Sequence, residues 1–278
     1  MGEEHENIPL MTEFIRRARR IVDNAGEQRG RPLLLGVRVL DTVETNLRIG
    51  IDLEAWLIEG LVDRVLAGGG YASFCQPAED LIELGHRFEV PVYPCINCPG
   101  TFDLGADWGF DSLRGAAANF WHAGCDGIYL WNYQYLNTPH ISYGQPFAAD
   151  YGHLADLADP AGLASADKVF SVNPRPFAQY ARASAFCPLP MPLFPSRGSV
   201  SVRIGDDLAD ALTVLLQLDV ENCVEGDELT VQVNDLTLIC EEGDRVELPL
   251  HVDALKQGDN ELKLEVTRRG EAAVTPSS

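Results

Sequence analysis

Asp41, Asn97, Asn132 and the aromatic pair Trp131 and Tyr133 are the residues of this 278-residue chain whose types and placement could do chemistry together. Each closes an apolar run. Arg38, Asp41 and Thr42 end "RPLLLGVRVLDT", the glycines at 68–70 and Tyr71 end "VDRVLAGGGY", Asn97 and Cys98 end "VPVYPCINC", and Trp131, Asn132 and Tyr133 end "DGIYLWNY". In parallel α/β folds the carboxyl ends of strands carry the working side chains. Flat aromatic faces beside amide groups suit a sugar ring, so Trp131, Tyr133, Asn97 and Asn132 fit a carbohydrate cleft. Asp41 is the best-placed carboxylate for catalysis, Asp103 and Asp107 in the loop after the third strand come second, and Glu44 third. Hydrolysis of a glycosidic bond ordinarily needs two carboxyl groups roughly 5 to 10 Å apart. No Glu ends a strand here, so the strand ends supply only one. Arg38 follows Gly36 by two positions and shares its face; the expectation is a buried guanidinium held by a carboxylate or a ligand.

Other motifs carry less. "GGGY" offers backbone N–H groups for an anion, but the next helix starts only at Pro77 and no GxxxxGK[ST] exists, which argues against a nucleotide site. Cys95 and Cys98 form a lone CxxC, the six His are scattered without HExxH, and no GxSxG elbow occurs, so no metal, no cofactor and no serine nucleophile is expected. Cys223 and Cys240 are expected as free thiols.

These strand ends need elements to position them. Met11, Phe14, Ile15, Ala18, Val22 and Ala25 recur three and four apart, which predicts an amphipathic first helix with a core-facing stripe, stopped at Gly26. Arg16, Arg17, Arg19 and Arg20 read as its solvated face beside Glu13 and Asp23. "RPLLLGVRVLDT" reads as a strand buried on both faces, "DLEAWLIEG" as a helix capped by Asp52 and stopped at Gly60, and "VDRVLAGGG" as a second strand. "QPAEDLIELGHRF" places Pro77 in a first helical turn, "VPVYPCIN" is a third strand, "DSLRGAAANFWHAG" a helix with Asp111 capping, and "DGIYLWNYQYL" a fourth strand. Four strands joined by helices at this spacing predict a parallel sheet, either a small open one or half of a (β/α)8 barrel.

Beyond residue 139 the pattern changes. "LADLADPAGLASADKVF" supplies one more helix and turn, and the prolines at 174, 176, 188, 190, 192 and 195 forbid regular structure. From Ser199 the period becomes two: Leu229, Val231 and Val233, a turn at Asn234-Asp235, then Leu236, Leu238 and Cys240, with further runs around Val246 and Leu262. About six such strands predict a small antiparallel β-sandwich. The fold class is therefore α/β plus all-β: residues 1–172 as a partial barrel, 173–197 as a proline-rich linker, 198–270 as the sandwich and 271–278 as a disordered tail. From 195 to 278 there is no Trp, Tyr or Phe, so the sandwich lacks an aromatic sugar platform and reads as structural.

Forty-two acidic against 21 basic side chains give a net charge of −21, which argues against nucleic acid and anionic membranes as partners. No apolar run approaches the roughly 20 residues of a bilayer span. No signal peptide is apparent, which points to the cytoplasm by default, or to export if a leader precedes this chain.

The phrases "GVRVLDTVETNLRIGIDLEAWLIEGLVDRVLAGGG" and "LRGAAANFWHAGCDGIYLWN" resemble uncharacterised bacterial glycoside-hydrolase-like barrel proteins, where similar phrases recur in the C-terminal half of a (β/α)8 barrel followed by a β-sandwich. The likeness spans nearly the whole chain, and none of its phrases is a known catalytic signature. It implies that the first helix corresponds to the fourth helix of a barrel, that the preceding strands lie outside this chain, and that the acid/base partner of Asp41 lies there too. Three readings stay open. The first is a carbohydrate-active or carbohydrate-binding protein, inactive alone, with Arg38, Asn97, Trp131, Asn132 and Tyr133 on the ligand. The second is a non-catalytic protein that completes its barrel as a homodimer. The third is a small-molecule enzyme on an open sheet, with Asp41 and Asn97 near a topological switch.

Overall fold

Helix α1 (Ile8–Arg29) has Pro9 in its first turn and ends on Gly30 in the left-handed conformation (φ 67°), where Gly30 and Arg31 donate back to Glu27 and Gly26. The expected stop at Gly26 lies a turn too early. Gly26 stays inside the helix because the returning chain crosses it: an added Cβ would sit 3.1 Å from the Arg31 carbonyl oxygen. The computed structural model describes residues 5–68, 74–97, 110–131, 133, 151–172, 189–194, 197–209, 211–241 and 245–270. The chain divides into two units, Met1–Cys187 and Pro188–Ser278.

In the first unit β1 (Gly36–Val39), β2 (Arg64–Ala67), β3 (Val92–Asn97) and β4 (Tyr129–Trp131) form one parallel sheet in sequential order. Helices α2 (Val43–Arg48) and α3 (Leu53–Ile58) lie between β1 and β2, α4 (Glu79–Arg87) between β2 and β3, and α5 (Phe110–His122) between β3 and β4. Asp52 caps α3 by accepting from the Ala55 N–H at 3.0 Å, and Gly60 (φ 63°) ends that segment. Helix α4 begins two residues after Pro77, which precedes the helix instead of occupying its first turn. Asp111 sits inside the first turn of α5 and accepts from the Ser112 N–H.

Alternation separates the two faces of this sheet. Val39, Val65, Ala67, Val92 and Ile96 join Leu53, Trp56, Leu81 and Leu113 from the helices in one buried core. The opposite face carries Gly36, Arg38, Arg64, Leu66, Tyr93 and Cys95. Strand β1 is thus not buried on both faces, because Arg38 stands exposed on the second. Phe14 likewise leaves the core: it is 61% exposed, with Leu10 at 69% and Ile21 at 69%, while Ile15 alone of the α1 stripe is fully buried. Helix α1 is tied down by polar contacts instead. Thr12 accepts from the buried Trp56 indole N–H at 3.0 Å, Arg16 forks onto Glu59 at 2.6 Å, and Arg19 reaches Asp63 at 2.7 Å. Two of the four expected solvated arginines therefore cross-link elements.

Helices α6 (Leu154–Ala158) and α7 (Pro160–Ala164) pack on α5, with Trp121 donating to the Leu157 carbonyl at 2.8 Å. The described residues of the second unit form six antiparallel strands. One sheet has the order β5 (Gly198–Ile204), β10 (Gly258–Arg268), β7 (Glu228–Val233), β8 (Leu236–Glu241), and a pair joins β6 (Val214–Asp219) to β9 (Arg245–Leu250). Asn234 (φ 50°) makes the β7–β8 turn, as its place between two alternating runs predicts. The linker at 173–188 and the tail at 271–278 lie outside the described residues. No helix among the described residues is long and apolar enough to cross a membrane.

Candidate functional site

The first unit's open sheet face gathers the polar and aromatic residues of the four strands. Arg38 on β1 lays its guanidinium 3.7 Å from the centroid of the Trp131 ring on β4. Those strands are the outermost of the four, and in a flat sheet they would stand about 14 Å apart with side chains rising in parallel. Contact between them requires the sheet to curl toward this face. The register adds a second constraint: Arg38 pairs with Leu66, Leu66 with Tyr93, and continuing back from the Cys95–Tyr129 pair leads to Gly127, yet Arg38 meets Trp131, further toward the carboxyl end. That offset is the stagger of tilted strands in a curved parallel sheet.

Two glycines shape the face. A Cβ on Gly36 would come 2.8 Å from Arg64 Cγ, so the Arg64 stem lies across β1 at a position only glycine vacates. Similarly, a Cβ on Gly127 would come 2.9 Å from the Tyr93 ring, which rests against β4. At the end of β2, Gly68 (φ 126°) faces Cys95 and Gln76, and Gln76 is buried with its amide donating to the Cys95 carbonyl at 2.7 Å. Gln76 supports the sheet's upper rim, a role its sequence context does not signal.

The Asp41 carboxylate lies just past β1 and is 2% exposed. Its loop is locked by Asn46, fully buried on α2, which accepts from the Leu40 N–H at 2.8 Å and donates to the Thr42 carbonyl at 2.7 Å. Thr42 and Thr45 close a capping box on the same helix. Sequence reasoning missed α2 and Asn46, although a Thr42 cap with Glu44 in the first turn is a helix-start signal. Glu44 itself is exposed and ion-paired with Arg48 at 2.5 Å.

The expected buried guanidinium at Arg38 is corrected: the side chain is exposed and its partner is an indole ring, not a carboxylate. Tyr133 is buried and meets Tyr151 edge to face, with centroids 5.6 Å apart. The backbone of Asn97 closes β3 beside Trp131. Asn132, Asp103, Asp107, Tyr71 and Cys98, together with the Asn97 side chain, lie outside the described residues. Cys95 and Cys125 are buried, and burial pushes the Cys125 thiol up to about 11, so it stays protonated near neutral pH. Chemically, the described face presents a guanidinium stacked on an indole, and Asp41, the strand-end carboxylate among the described residues, is shielded. Compared with known proteins, the chain matches no protein-family model, and no curated protein sequence matches it significantly.

Proposed function

We propose that the first unit is the C-terminal half of a (β/α)8 barrel in a glycoside-hydrolase-like protein, and that its concave sheet face binds a carbohydrate. The observation that carries this reading is the Arg38–Trp131 contact, which needs both the curl and the stagger of a barrel wall and puts an aromatic and a cation at the mouth of the concavity. Resemblance to glycoside-hydrolase-like barrels supports it independently. Asp41 serves as one carboxylate of the acid/base pair, and the other comes from strands that complete the barrel. By itself the chain binds glycans without hydrolysing them. Assay on a glycan panel tests this: binding without turnover is expected, and robust turnover by this polypeptide would overturn the placement of the second carboxyl group outside it.

A second reading draws on Leu10, Phe14 and Ile21, which form an exposed apolar stripe on α1. On this reading a second copy covers the stripe and supplies the remaining strands. Light scattering decides: a dimer supports self-completion, and a strict monomer across micromolar concentrations rejects it.

A further inference from the structure

We propose that Arg38 is a displaceable cover on the Trp131 ring: a carbohydrate enters the concave face by taking the place of the guanidinium on the indole. This rests on the carbohydrate reading above and concerns how that site opens.

The guanidinium lies 3.7 Å from the ring centroid, in the place a stacked pyranose would take, at about 3.5–4 Å between carbons. Both cannot occupy one ring face. Arg38 is exposed and Trp131 half-buried, so the guanidinium covers the indole from the solvent side, the side a ligand meets first. Because β1 and β4 are the outer strands of the sheet, this one side chain also runs across the concavity from wall to wall. A ring entering the concavity therefore meets Arg38 before it can stack on Trp131.

The cover is lightly held. Other arginines that bridge elements are fixed by carboxylates: Arg16 forks onto Glu59, Arg19 meets Asp63, and Arg203 forks onto Asp259. Among the described residues Arg38 has no carboxylate and no hydrogen-bond partner, and the indole face is its contact. A cation stacked on a ring at an exposed site favours the covered state by about two- to fivefold. Leaving needs only rotation about the Arg38 side-chain bonds, which is fast and asks nothing of β1. The cover therefore lowers the apparent affinity for a stacking ligand by about three- to sixfold, the reciprocal of the uncovered fraction.

Calorimetry on the full chain with cellohexaose, maltohexaose and mannohexaose tests the displacement. For whichever of these binds, Arg38→Ala and Arg38→Gln are expected to bind about three- to sixfold tighter than the unaltered chain. Without ligand, acrylamide quenching of tryptophan fluorescence is expected to rise in Arg38→Ala, and not when the same change is made in Trp131→Phe. Circular dichroism confirms that each variant folds. Binding equal to or weaker than that of the unaltered chain in both Arg38 variants overturns the displacement and leaves the carbohydrate reading standing, with Arg38 then a ligand contact or a clasp on the curl. Unchanged quenching in Arg38→Ala overturns the cover as well. Binding of none of the three glycans, by the unaltered chain or any variant, overturns both the displacement and the carbohydrate reading.

Discussion

Asp63 and Leu35 exchange two hydrogen bonds at the amino end of the sheet: the Asp63 N–H donates to the Leu35 carbonyl at 2.8 Å, and the Leu35 N–H donates to the Asp63 carboxylate at 2.6 Å. The same exchange joins Asp126 to Val92, at 3.1 and 2.8 Å. An aspartate just before β2 and another just before β4 thus each latch the strand preceding them in the sheet. Both sit opposite the carboxyl ends where the candidate site lies, the stabilising end of a parallel sheet.

Asp63 also receives Arg19 from α1, so removing it strands the Leu35 N–H and takes one partner from Arg19, which keeps Asp23 and the Leu33 carbonyl. Asp63→Ala is expected to cost about 2–3 kcal/mol, and Asp63→Asn less, because the amide oxygen still accepts from Leu35. Urea unfolding followed by tryptophan fluorescence measures both; equal losses would show that the latch to Leu35 carries nothing.

The Thr12–Trp56 hydrogen bond is the buried anchor of α1. Thr12→Val leaves the indole N–H without its partner, for an expected loss of about 1–2 kcal/mol. A double-mutant cycle with Trp56→Phe isolates the bond: the two losses should fall short of additivity by about 1 kcal/mol. Strict additivity would mean that the Thr12–Trp56 bond adds nothing to the hold on the helix.

Gly68 combines a φ of 126° with neighbours 2.9 Å from where a Cβ would stand. Gly68→Ala is expected to destabilise the first unit by about 2 kcal/mol or more and to displace Gln76 from the Cys95 carbonyl. Thermal melting reads the loss, and an unchanged melting temperature contradicts the close contact.

In the second unit the Asp227 carboxyl is held below its ordinary value of 3.8 by the Val224 N–H first, with the Gly270 N–H and Arg269 adding to it. A lowered folded value means that Asp227 contributes stability above the unfolded pKa and loses it as pH falls through the lowered one. The unit should therefore weaken as pH falls below about 4, and Asp227→Asn should be less stable at pH 7 with a flatter acid limb. Backbone amide exchange of β7 and β10 across that range follows the unit directly; parallel acid limbs in both proteins would exclude Asp227 as the sensor.

The parallel sheet was legible because four apolar runs alternate with helical stretches at the spacing of crossover connections, whereas the expectation of a first strand buried on both faces failed at Arg38. Capping chemistry was legible at Asp52 and Gly60 for a local reason. The period of two likewise marked β7, β8, β9 and β10, and Asn234 marked their turn. Short-range rules failed where a distant segment overrode them. Gly26 looked like a stop but admits the chain returning at Arg31, and the arginines of α1 looked solvated but find Glu59 and Asp63 across a gap of sequence.

By itself, then, the sequence determined the parallel sheet and the antiparallel strands that follow, since periodicity and caps are written into neighbouring residues. Only the tertiary structure decided that Arg38 is exposed and stacked on Trp131, that Arg64 lies across Gly36, and that Asp41 is shielded behind a loop pinned by Asn46. Those facts depend on how far four strands curl and how they stagger, a sum of twist and packing over the whole sheet that no single stretch encodes.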